Sequence, residues 1–134
     1  MTKTKRMKDF EDKVIGYARD EKKLLFAFLT EHETIGDTYE DYVYCMYITK
    51  MFCNFVLTYT WYKPDHVSTV ISTAKTKVEH FKNMTKDPAT YNLLQATWEM
   101  LMALSILVGY DGMIPLVRDV VQGDRLQRAI PSRI

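Results

Sequence analysis

The chain has 134 residues, the length of one domain, and its 18 Lys+Arg against 17 Asp+Glu leave a net charge of +1. That balance excludes a histone-like polybasic protein and an acidic mimic of DNA, and 47% hydrophobic with 26% charged residues excludes disorder throughout. Five glycines and four prolines are about half the usual share of roughly 12%, so the chain is expected to form few, long elements.

Two cysteines, Cys45 and Cys53, lie eight apart in one expected helix. That is about 12 Å along the axis, too far for a disulfide, whose Cα atoms lie within about 7 Å. No apolar stretch follows the basic start MTKTKRMKDF, so a secretory leader is not expected. Asp9, Glu11 and Asp12 follow at once and speak against a transit peptide. The cytoplasm is the expected compartment.

Residues 5–31 form the first periodic segment. Met7, Phe10, Val14, Tyr17, Glu21, Leu24 and Phe28 recur at 3-4 spacing, a heptad seam interrupted at Glu21. Gly16 costs about 1 kcal/mol against Ala in a helix and marks the place for a bend or break before Asp20. Such a seam packs on its own domain, or alternatively on a second chain as a short coiled coil. Ile35-Gly36-Asp37 reads as a turn.

A second helix is expected from 37 or 38 to 59. Asp37 with Glu40, or Thr38 with Asp41, fits a capping box. Its apolar residues cover every side of the wheel, the mark of a buried helix. Lys50, Asn54 and many tyrosines argue against a membrane span. Pro64 suits the first position of a third helix, along which Val67, Val70, Ile71, Ala74, Val78 and Phe81 form one stripe. Asp87-Pro88 signals a fourth start, and the helix over 88–108 is again apolar on most sides. A short fifth helix is expected over 113–122, carrying Ile114, Leu116, Val117, Val120 and Val121. The domain is drawn at 1–123, with a basic tail over 124–134. The expected fold is all-α, a compact bundle of about five helices, with the second and fourth central.

Catalytic and metal signatures are sparse. None of His32, His66 and His80 has a Glu three residues before it, so the di-iron bundle pattern is missing. Neither Cys45 nor Cys53 stands near an evident base, and a free Cys in an apolar helix acts as a small hydrophobe. No nucleophile-elbow, zincin, Walker or dinucleotide pattern occurs. No cofactor or metal is expected, and no enzyme. Lys50 and Glu99 interrupt the two apolar helices. Each faces solvent, or the two pair across the bundle, or one is catalytic.

Charge is segregated: +4 over residues 1–8, −6 over 9–41, +3 over 63–86 and +2 over 122–134. An acidic first hairpin and a basic third helix can attract within the fold or across a dimer. Two helices apolar all round exceed what a small bundle buries easily, and Tyr, Trp, Met and Arg favour interfaces. The expected function is therefore a protein-binding module, self-associating as a homodimer. It would act as an adaptor, assembly factor or inhibitor docking on a larger complex, as products of phage and mobile elements often do. The expected surface comprises Tyr42, Tyr47, Trp61 and Tyr62, with Arg125 and Arg128 as a second arm. The C-terminal Ser132-Arg133-Ile134 has the form of a PDZ ligand, on three residues only. The alternative is a nucleic-acid binder using Lys75, Lys77, Lys82 and Lys86 with the basic termini, against which the small net charge argues.

Overall fold

The computed structural model describes residues 2–17, 19–59 and 62–108. They form five helices: α1 (Lys5–Ile15), α2 (Glu21–Glu33), α3 (Tyr39–Thr58), α4 (Pro64–Met84) and α5 (Pro88–Val108). There is no strand among the described residues. The fold is a compact all-α bundle.

Local chemistry sets the boundaries. Thr4 caps α1 by accepting from Met7 N at 3.2 Å. The first segment breaks after Gly16, and Asp20 restarts it as α2 by accepting from Lys23 N at 3.1 Å. The seam survives the break, since Met7, Phe10, Val14, Leu24 and Phe28 are all buried. Of the two capping boxes open to the sequence, Thr38 with Asp41 is the one formed. A Cβ on Gly36 would meet Asp41 Oδ2 at 2.8 Å, so the turn keeps that carboxylate free to serve the cap. Pro64 starts α4, and Asp87 caps α5 through Thr90 N at 3.0 Å. The expected helix over 113–122 and the basic tail lie outside the described residues.

Named contacts give the directions. Arg6 meets Asp41 and Tyr47 meets Glu11, so α1 runs with α3. Tyr44 meets Glu31 and the Phe28 ring lies 5.1 Å from Phe52, so α2 runs against α3. Glu21 meets Lys63 and His66 at one end, and His32 meets Lys77 at the other, so α2 runs with α4. α5 packs most against α4, then α3, and α2 bridges α4 to α3. The consecutive helices α3 and α4 therefore face across the core, where the Tyr42 and Phe81 rings meet at 4.9 Å. α3 and α5, the two helices apolar on most sides, contribute eight and nine buried residues.

Arg6 ties three ends together. Its Nη1 donates to Asp41 Oδ1 and its Nη2 to Thr34 Oγ1, both at 2.7 Å. The guanidinium lies 4.0 Å over the Tyr44 ring, whose hydroxyl donates to Glu31 at 2.5 Å. Burial raises Asp41, but hydrogen bonds from Thr38 and Arg6 outweigh it and hold the carboxyl below its ordinary range.

Phe28 is fully buried and touches rings from α1 and α3. Phe28→Ala should cost about 3–5 kcal/mol, the range for emptying a buried aromatic site. Thr38→Ala should cost about 1 kcal/mol through the lost cap. Urea denaturation of both variants reads these values.

Candidate functional site

The described members of the expected tyrosine surface do not gather on one face. Tyr42 is buried on Phe81, and burial, then Asp37 and Asp41, raises its phenol. Tyr47 is half-buried, and its hydroxyl donates to Glu11 of α1. Tyr62 is 4% exposed, with its ring 6.4 Å from that of Tyr59. Tyr42 and Tyr62 are thus core residues in this chain, corrected from surface positions. Each lies where two elements meet, so its ring is covered from within. Trp61, Arg125 and Arg128 lie outside the described residues.

The four lysines of the alternative surface divide by helical phase. Lys82 Nζ lies 4.8 Å from the Trp98 ring centroid and 5.7 Å from that of Tyr91. Lys75, seven residues earlier, approaches Trp98 from the other end at 5.7 Å and reaches Met102 Sδ at 3.9 Å. Lys86 is exposed beyond them. Lys77 leaves this face and donates to the His32 carbonyl, with burial lowering its pKa. A lysine turned to the α2 end cannot join a continuous basic strip with the other three.

The two cysteines are buried. Burial pushes the Cys45 thiol up to about 11 and the Cys53 thiol to about 12, which keeps both protonated and poorly nucleophilic at neutral pH. Glu99 is exposed and accepts from Gln95 Nε2 at 3.2 Å. Lys50 is half-buried in a hollow shared with Glu11 and Tyr47. No ion pair joins Lys50 to Glu99 among the described residues. No group of three or more His, Cys, Asp and Glu that could hold a metal occurs among the described residues. No described helix is long and apolar enough to cross a membrane.

An open, largely apolar groove of about 640 Å³ lies between α2 and α4. Leu25, Phe26, Leu29 and Val70 form its floor and wall. Glu21, Lys22, Lys63 and His66 rim one end, where His66 Nδ1 lies 2.7 Å from Glu21. Glu21 also accepts from Lys63 N at 3.3 Å, so its charge is engaged within the fold and Lys22 and Lys63 leave that rim basic. Phe26 is 68% exposed, the most exposed large hydrophobic residue described. Burying such a ring is worth about 1.5–3 kcal/mol. The sequence carried one signal of it: Phe26 lies two residues from both Leu24 and Phe28, off the heptad seam on the far side of the helix. The groove itself needs α4 beside α2, which no local pattern shows.

Comparison with known proteins finds no family model, no curated protein and no solved structure that matches this chain.

His32 is 1% exposed, its Nδ1 has no partner among the described residues, and burial lowers its pKa from 6.5 to about 4. Lys77 beside it acts in the same direction. Between pH 6.5 and 4 the unfolded chain takes up this proton and the folded chain does not. Stability therefore falls as pH drops through that window, by about 3 kcal/mol. From about pH 5 downward, the carboxyls of Glu11 and Asp41, held under their ordinary range, add to the loss. In His32→Met the decline between about pH 6.5 and 5 should vanish and that between about 5 and 4 should shrink, as read from urea midpoints across that range.

Proposed function

We propose that this chain is a non-enzymatic protein-interaction module that docks an amphipathic helix in the α2–α4 groove. The observation that carries this reading is the exposed Phe26 beside an apolar floor of Leu25, Leu29 and Val70. A helix laid in such a groove buries side chains at three- and four-residue spacing. Lys22 and Lys63 at one rim favour acidic residues at the matching end of the partner helix. Homodimerisation is the form this takes if the partner is a second copy. Adaptor, assembly and inhibitor roles all follow from the same docking.

A second reading, nucleic-acid binding, draws on Lys75 and Lys82 held against Trp98, since cations beside an aromatic ring suit single strands. The two readings part on different residues. Phe26→Asp should abolish capture of a discrete protein partner, with circular dichroism unchanged because the ring is exposed. Lys75→Glu with Lys82→Glu should leave that capture intact. Capture that survives Phe26→Asp but is lost in the lysine variant, with salt and nuclease sensitivity, overturns the first reading in favour of the second.

A further inference from the structure

We infer that the helix received at this groove is α2 of a second copy of the chain, paired antiparallel about a two-fold axis. The inference rests on the α2–α4 groove being a docking surface, and it names the partner.

The inner seam of α2 is buried through Leu24 and Phe28. A second seam faces out. Lys22, Phe26 and Glu33 are exposed, and Leu29 is half-buried between them. These four fall at i, i+4, i+7 and i+11, the alternation of three and four by which two helices pack side by side. Lys22, Phe26 and Leu29 also line the groove, so the seam runs along its α2 edge.

The order of the four residues decides the partner. In an antiparallel pair centred between Ala27 and Phe28, each residue meets the one equally far beyond the centre. Phe26 then meets Leu29 of the second copy, and Lys22 meets its Glu33. A two-fold interface makes each of these pairings twice. A parallel pair would instead set Lys22 on Lys22 and Glu33 on Glu33. The seam is therefore complementary to itself in one direction only.

The charges are available for this. Lys22 and Glu33 stand about 16 Å apart along the helix, so they do not meet within one chain. Neither joins an ion pair among the described residues. Their charged neighbours are engaged elsewhere, Glu21 by His66 and Lys77 by the His32 carbonyl. Glu33 of the second copy arrives at the rim that Lys22 and Lys63 leave basic. A helix acidic along its whole length would suit that rim but meet Glu33 at the other end with like charge. The second copy offers Lys22 there.

A seam this short makes a small interface, so pairing should depend on concentration. In sedimentation equilibrium the mass of the whole chain should rise from one chain toward two, and Phe26→Asp should hold it at one. A parent that stays at one chain up to millimolar concentration overturns the inference, and so does a dimer that Phe26→Asp leaves intact. Lys22→Glu and Glu33→Lys should each weaken self-association about tenfold, and an equimolar mixture of the two should recover it. A mixture no stronger than either variant overturns the proposed pairing. Orientation is read by cysteines. Chains carrying Lys22→Cys should form a disulfide with chains carrying Glu33→Cys, and neither should form one alone. The native Cys45 and Cys53 are buried and do not compete. A bond in Lys22→Cys alone marks parallel pairing and overturns the inference, as does no bond in the mixture. No other protein is present in these experiments. A chain that stays monomeric, yet loses capture of another protein in Phe26→Asp, sinks this inference alone. A chain that pairs as described but captures no other protein sinks the adaptor, assembly and inhibitor roles alone.

Discussion

The structure depends on the need to cover two helices that are apolar on most sides. α3 and α5 cannot be satisfied by one neighbour each. Pairing them covers one face of both, and each still needs another helix. α4 takes the second face of α5, while α2 and α1 take the remaining faces of α3. The three amphipathic helices act as a jacket, and their polar faces carry most of the charge. This explains why α3 and α4, joined by a short connector, meet across the core rather than side by side.

Polar chemistry then fixes what apolar burial leaves loose. A hydrophobic seam permits sliding by a turn. The Arg6 fork does not, because it engages Asp41 and Thr34 at once and stacks on Tyr44. A lysine has neither the planar fork nor the stacking face. The contacts set the register of α1 against the end of α2 and the start of α3, where a short helix would otherwise gain least from packing. Charge segregation takes its physical form here: a basic N-terminal residue held within an acidic hairpin, inside one chain.

The bundle was legible because its signals are local. Asp87-Pro88, Pro64 and Thr38 with Asp41 each act within one turn, and each boundary falls where that chemistry places it. Gly16 marked the break in the first segment for the same reason. The site was far less legible, because exposure belongs to pairs of elements. Tyr42 looks like any aromatic of a helix apolar all round until Phe81 is placed opposite. Lys77 resembles Lys75 and Lys82 until helical phase sends it to the His32 carbonyl. Phe26 was visible as an off-seam apolar residue, but α4 had to stand beside α2 before it became the edge of a groove.

The parallel pairing of α2 with α4 has a consequence for the order of assembly. Its ties, Glu21 to Lys63 and His66 and His32 to Lys77, join residues 42 and 45 apart in sequence. The α4–α5 hairpin closes over much shorter loops, such as the 27 residues between Lys75 and Met102. Closing a longer loop costs more chain entropy before any contact is made. The hairpin is therefore favoured as an early unit and the α2–α4 seam as a late one. The walls of the α2–α4 groove are thus joined across the longer sequence separations of the bundle.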